Sequence, residues 1–297
     1  MNQRDSLNFT KLGLIAGNGQ LPFLVLEQAL KQGLCVLVAA IREEATPEIE
    51  AFARQHSSSS DSQVCARWLG LGQLAKLIRV FKEGGVDKVV MAGQVKHLQI
   101  FAPKGPSASK DTMTFPDWKM ARVLWSLPRK NTSSLIGAVA KVLEEEGIEL
   151  IDSTFLLRPL LPKQGVLTRR KPTREEWKDI KYGRVVAREV ARLDLGQTIV
   201  VKDQAVVAVE AMEGTDETIW RAARLVKRQR LTVIKSSRPH QDMRFDVPVT
   251  GMQTLKVLGE CHVSAMAISA EKTLILEREE FIQKANKLGI TIVSLET

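Results

Sequence analysis

Cysteine is scarce in this chain: Cys35, Cys65 and Cys261 stand far apart and in no CxxC spacing, which excludes a disulfide framework and a thiolate zinc site. Histidine is nearly as sparse. His56, His97, His240 and His262 form no HxxxH or HExxH pair, so a transition metal has no imidazole pair to hold it, and any metal should be bound by oxygen. No apolar run approaches the roughly 18 residues of a membrane span, and Met1-Asn-Gln-Arg-Asp-Ser lacks a signal-peptide core. The expected location is therefore the cytoplasm. With one Tyr, nine Phe and no basic stretch interleaved with aromatics, the stacking platforms of a single-strand nucleic-acid binder are missing, and no nucleic-acid partner is expected.

What is present points to phosphate. A length of 297 residues suits two domains with sizeable cores. The formal charge of +9 and a pI near 9.5 suit an anionic partner, either an acidic membrane surface or a phosphorylated substrate. The densest chemistry lies in Lys235-Ser-Ser-Arg-Pro-His-Gln-Asp-Met-Arg-Phe-Asp-Val-Pro248, where Asp242 and Asp246 stand among Lys235, Arg238 and Arg244. Interleaved carboxylates and cations are costly to bury as core, so the stretch reads as a binding loop. Carboxylates suit a hard divalent cation, and Arg and Lys suit the phosphate that it neutralises.

Along the first half, Lys11-to-Gly17 is a short apolar run that breaks into Gly17-Asn18-Gly19-Gln20-Leu-Pro22. A helical pattern then runs from Leu21 to Lys31, followed by a second apolar run, Leu34-to-Ala39. That is the opening βαβ of a doubly wound parallel sheet, in which the turn after the first strand offers helix N-terminal amides to an anion. The dinucleotide fingerprint is incomplete, because Pro22 stands where the third glycine belongs and no acid closes the second strand. After the strand Val86-to-Ala92, Gly93-Gln94-Val-Lys96 should lie beside the first glycine loop, with Lys96 placed to meet an anion. An amphipathic helix follows Asn131. We set the domains at 1–138 and 139–297.

The second half reads as short strands and helices. Thr198-to-Val201 and Val206-to-Glu210 form an expected hairpin. Glu213-Gly214-Thr215-Asp216 opens a helix, where Gly214 and Thr215 offer anion contacts and Glu213 and Asp216 offer oxygen ligands. Leu231-to-Ile234 is a strand that delivers the loop from Lys235 to Pro248, in which Gln241 is a further polar contact. Ala265-to-Ala270 and Thr273-to-Leu276 are expected to pair.

Five blocks in this order resemble the LpxI family, the UDP-2,3-diacylglucosamine pyrophosphatases of lipid A biosynthesis. They are Gly13-Leu-Ile-Ala-Gly-Asn-Gly-Gln-Leu-Pro22, Gly93-Gln-Val-Lys96, Asp194-Leu-Gly-Gln197, Val209-Glu-Ala-Met-Glu-Gly-Thr-Asp216 and Pro239-His-Gln-Asp-Met-Arg-Phe-Asp-Val-Pro248. The resemblance implies an N-terminal Rossmann-like domain, a second α/β domain, a homodimer and a UDP-linked diacylated glucosamine lipid held between the domains. It also implies Mg2+ as cofactor and hydrolysis to UMP and 2,3-diacylglucosamine 1-phosphate. The essential acid is carried over to Asp246 first and Asp242 second, with Arg244 beside them. The chain departs from the family pattern at Asn131-Thr-Ser, where many members show Gly-Asp-Asp, and at His97.

On chemistry alone, Asp246, Asp242, Glu213 and Asp216 can serve as metal ligands, and Arg244, Lys235 and Lys96 can steady phosphates. An apolar trough for the acyl chains is expected at Phe155-Leu-Leu with Leu160-Leu161, or around Phe101 and Phe115. Arg169, Arg170 and Lys171 could rest on the inner membrane surface. Two other readings stay open: an NAD(P)-dependent oxidoreductase using the GxG loop, and a non-catalytic nucleotide-binding protein.

Overall fold

Strand β1, Lys11–Ala16, has five consecutive buried residues after an exposed lysine, the pattern of a parallel strand covered on both faces. Its neighbours follow suit in the computed structural model of the chain, which describes residues 8–57, 63–94, 116–127, 132–227, 230–239 and 241–296. Beside β1 lie β2, Cys35–Ile41, and β4, Lys88–Ala92. The outer strands are β3, Val64–Leu69, and β5, Glu149–Leu150. The order β3-β2-β1-β4-β5 is parallel throughout. Successive strands step one way from β1 to β3, and the chain then returns to the other side of β1 as β4. That reversal puts a topological switch point at the carboxyl ends of β1 and β4, where ligands of open α/β sheets usually bind.

Pro22, which spoils the dinucleotide fingerprint, sits in the first turn of the helix Leu21–Lys31. Its missing N–H would have had no intrahelical partner there, so proline starts the helix at no cost in hydrogen bonding.

The second sheet has the order β6-β13-β11-β9-β7-β8. Its centre is parallel: β9, Leu231–Lys235, β11, Val263–Ser269, and β13, Thr291–Leu295. The hairpin of β7, Thr198–Lys202, and β8, Ala205–Val209, continues it in antiparallel fashion, as expected. The short β6, Gly165–Val166, closes the opposite edge. The strand around Leu274 does not pair with β11. Instead β12, Leu274–Ile275, pairs with β10, Val249–Thr250, because the turn at Thr273 is held by its amide to the Ser269 carbonyl, and Leu274 donates to Pro248.

Two compact units result, Met1–Leu157 with Met243–Phe245, and Arg158–Asp242 with Asp246–Thr297. The break near 157 corrects the expected one at 138, which would have cut through the helix Thr132–Glu145. That helix contributes Leu135, Ala140 and Leu143 to the core of the first unit, and β5 adds Leu150. The short return of the chain at Met243–Phe245 has its own ties within the first unit. Ser153 donates from its amide to the Met243 carbonyl and from its hydroxyl to the Arg244 carbonyl, and Phe245 packs on the same core. Among the described residues no helix is long and apolar enough to cross a membrane.

Candidate active site

In the first unit the two glycine loops meet, as the sequence leads one to expect. Asn18 and Gln94 exchange both backbone hydrogen bonds at 2.9 Å, and the Gly17 amide donates to the Ala92 carbonyl at 2.8 Å. Gly93 makes this contact possible. It has φ +94°, and a Cβ there would lie 2.6 Å from the Asn18 carbonyl oxygen. The pairing also commits the Gly17 and Asn18 amides to protein carbonyls, so the expected anion contacts from those two amides are not available; the exposed Gly19 and Gln20 carry the turn onward. Lys96 and His97 lie outside the described residues, as do Asn131, Phe101 and Phe115.

The richer cluster is in the second unit, at the edge where β8 and β9 end and β7 begins. The turn Asp194-Leu-Gly-Gln197 organises it. Gly196 lies flat against the backbone of Glu210, and a Cβ there would run into the Glu210 carbonyl. The Gln197 amide donates to the Glu210 carboxylate at 3.2 Å, and the Gln197 carbonyl accepts from Ser236 at 2.8 Å. Asp194, in the left-handed conformation at φ +57°, pairs with one arm of Arg238 at 2.7 Å. The other arm of Arg238 holds Asp246 at 2.6 Å. Gln241 completes the clamp, accepting from the Arg238 amide at 2.7 Å and donating to the Asp246 carbonyl at 2.6 Å.

Burial pushes the Asp246 carboxyl above the usual range, against the opposing pull of the Arg238 guanidinium; Asp194 and Asp242 add to the rise. Beside it in the sheet, Lys235 ends β9 with only 6% of its surface exposed. Burial depresses its pKa, and the negative charges of Glu210, Asp216 and Asp246 oppose that fall.

The four expected metal ligands are not brought together. Among the described residues no three His, Cys, Asp or Glu side chains converge on a point that could hold a metal ion. Glu213 is tied to Arg221 at 2.6 Å and to the Ala211 amide, while Asp216 accepts from Thr254 at 2.9 Å. Glu213 is thus tied to the helix Thr215–Leu225 and Asp216 to the helix Met252–Glu260. Arg244 belongs to the first unit, whereas Asp242 and Asp246 on either side of it belong to the second. Gly214, at φ +86°, starts the helix, but the Thr215 hydroxyl is engaged by protein partners. It is therefore no free substrate contact.

Sequence reasoning passed over Glu210 and underused Arg238 and Asp194. The signal for Glu210 was an acid placed directly after an apolar strand, at the edge where ligands of α/β sheets bind. Of the first stretch expected to form an acyl trough, Leu156, Leu157 and Leu161 are core residues and Phe155 packs on Phe9, while Leu160 lines a surface pocket with Leu167 and Ile282; the alternative around Phe101 and Phe115 lies outside the described residues. Arg170, one of the basic residues expected near a membrane, has its guanidinium forked onto Glu176.

Comparison with known proteins accounts for both halves of this arrangement. Residues 11–160 match the LpxI N-terminal domain and residues 163–293 the LpxI C-terminal domain. The chain belongs to the LpxI family. A family member from Caulobacter vibrioides, UDP-2,3-diacylglucosamine pyrophosphatase LpxI, is 30% identical over 296 residues, covering 96% of this chain and 98% of that protein. Two solved structures are only distantly similar. The biotin carboxylase domain of Hydrogenobacter thermophilus 2-oxoglutarate carboxylase is 11% identical with a TM-score of 0.25, over 73% of this chain and 41% of that one. The L-amino acid ligase of Bacillus licheniformis is 15% identical with a TM-score of 0.21, over 70% and 41%.

Proposed function

We propose that this chain hydrolyses the diphosphate of UDP-2,3-diacylglucosamine to UMP and 2,3-diacylglucosamine 1-phosphate (lipid X), a step of lipid A biosynthesis. The observation that carries the reading is the match, along nearly the whole chain, to a protein named for that pyrophosphatase activity. The second unit supplies groups suited to it.

In the reaction, water oxygen forms a bond to one phosphorus, and the bridging P–O bond breaks with its electron pair leaving on the other phosphate. The proton lost by water passes to Asp246, whose burial makes it a stronger base than an ordinary aspartate. Arg238 and Gln241 fix its orientation. Lys235 stabilises charge growing on the phosphate oxygens. The described residues offer no all-protein cage for Mg2+, but such an ion needs only one or two carboxylates when phosphates and water complete its shell, so Asp242, whose charge acts on the base Asp246, would hold it. Bound there, it would neutralise phosphate charge.

The apolar cavity of the first unit, lined by Ile15, Ile41, Leu69, Met91, Met120 and Leu135, suits an acyl chain. Peripheral contact with the inner membrane and a homodimer belong to the same reading. The former is supported by Trp118 and Trp125, 65% and 93% exposed one above the other on the helix Trp118–Ser126.

The test is to incubate purified protein with UDP-2,3-diacylglucosamine and Mg2+ and to measure UMP by chromatography. We expect turnover by the wild type and a loss of roughly 100-fold or more for Asp246→Ala. Absence of UMP from the wild type would overturn the substrate, and undiminished UMP from the variant would overturn the site. Light scattering and vesicle sedimentation read the dimer and the membrane contact.

A further inference from the structure

Among the described residues the Thr215 hydroxyl has three polar neighbours. It lies 3.1 Å from Glu210 Oε1, 3.0 Å from Lys235 Nζ and 3.0 Å from Thr198 Oγ1. A hydroxyl has one proton to donate and two lone pairs to accept with. Lys235 can only donate and the Glu210 carboxylate can only accept, so the Thr215 proton goes to Glu210 and the Thr198 hydroxyl donates to Thr215. Every direction in the network is thereby fixed. Glu210 itself cannot drift: its carboxylate is gripped by the Gln197 amide, its own amide donates to the Thr198 carbonyl at 2.8 Å, and its backbone lies against Gly196. Both Glu210 and Lys235 are 6% exposed. Among the described residues, Thr215 takes one of the three ammonium protons, and none of them takes the other two, which leaves these for a substrate acceptor.

We propose that Glu210 is a positioning residue: through the Thr215 hydroxyl it holds the Lys235 ammonium where it meets the phosphate oxygens of the substrate. The inference rests on the diphosphate reading given above and assigns Glu210 a role within it. A bare aliphatic stem would let the ammonium swing, whereas a hydroxyl pinned from the opposite side by a buried carboxylate gives it one direction. The same carboxylate acts on charge. Burial works against the ammonium, and Glu210 at the end of β8, Asp216 on the helix Thr215–Leu225 and Asp246 beyond β9 work for it. On the remaining side, Arg184 and Arg188 from the helix Arg174–Arg192 and Glu296 beyond β13 line the small cavity next to Lys235. No charged side chain comes from β11 there, only Ala267, Ile268 and Ser269.

The experiment follows Lys235 directly. Full-length protein labelled with 13Cε-lysine is titrated by NMR, the Lys235 resonance being assigned by its loss in Lys235→Met, and pyrophosphate serves as probe. Glu210→Gln retains the shape of the side chain but removes its charge; Thr215→Val removes the hydroxyl link and leaves the charge. Expected are a Lys235 titration displaced to lower pH in Glu210→Gln, an alkaline limb of kcat/KM displaced with it, and pyrophosphate affinity about tenfold weaker in both variants. A Lys235 titration that is the same in Glu210→Gln and wild type, or undiminished pyrophosphate affinity in Thr215→Val, would overturn the assignment. Since the two variants perturb different parts of the network, failure of one to fold leaves the other to decide. A wild type that makes no UMP, yet whose Lys235 resonance responds to pyrophosphate in a Glu210-dependent way, would remove the proposed substrate and uphold the role of Glu210.

Discussion

Arg238 is the residue on which the candidate site turns, because one guanidinium holds Asp194 with one arm and Asp246 with the other. Lysine keeps the charge but cannot hold two carboxylates in a planar fork. Arg238→Lys should therefore lower kcat on the order of tenfold or more through misplacement of Asp246, with little change in melting temperature; steady-state UMP release together with a thermal melt checks this. Gly93 is the corresponding fixed point of the first unit. Gly93→Ala puts a Cβ 2.6 Å from the Asn18 carbonyl at a φ of +94°, so we expect destabilisation of roughly 2–4 kcal/mol, read from urea unfolding. At this scale the sequence was partly legible. Asp246, Lys235 and Gln241 stand in one charged stretch, which made them visible. Glu210 stands 25 residues before Lys235 and meets it only through the Thr215 hydroxyl once the sheet is formed, and a strand-end acid gives no hint of which lysine it will face.

At the scale of elements, the helix Arg174–Arg192 shows how a local pattern recruits distant support. Thr173 and Glu176 form a reciprocal capping box, and the buried Glu176 carboxylate also takes both arms of Arg170 at 2.9 Å. Burial raises the Glu176 pKa, but Arg170 together with the cap outweighs it, and the net displacement is downward. A depressed folded-state value means that the stabilisation is fully present above the unfolded value near 4.5 and is lost as pH falls through the lower folded value. Unfolding free energy measured between neutral pH and pH 3 should decline more steeply for wild type than for Glu176→Gln. At neutral pH that variant should be less stable by about 3 kcal/mol, since it leaves Arg170 half-buried without its charge partner. The strands β1, β2, β4 and β9 were legible because short apolar runs bounded by glycine or polar residues leave little choice. The pairing of β12 with β10 was not, because two-residue strands carry no periodicity, and tertiary hydrogen bonds at Pro248 and Thr250 decide it.

For the whole molecule, the formal charge of +9 should draw a nucleotide diphosphate toward the protein. Its attraction is screened over about 8 Å at physiological salt. KM for the UDP substrate should accordingly rise with sodium chloride while kcat changes little, as salt-dependent initial rates would show. The overall α/β plan could be read from alternating strands and helices, but the border between units could not. The helix Thr132–Glu145 reads equally well as the last element of one domain or the first of the next until its apolar stripe is seen packed on the first sheet.

The return of Met243–Phe245 to the first unit bears on the order in which the chain can be completed during synthesis. A ribosome releases Leu157 long before Phe245, by an interval of roughly several seconds at ordinary elongation rates. Throughout that interval the nascent first unit lacks Phe245 in its core and the two carbonyls that Ser153 binds. Its last contacts close only after most of the second unit has been made, so maturation of the N-terminal half waits on translation of the stretch that carries Lys235 and Asp246. A fragment ending at Leu157 should consequently show weaker amide-exchange protection around Ser153 than the same residues in the full chain.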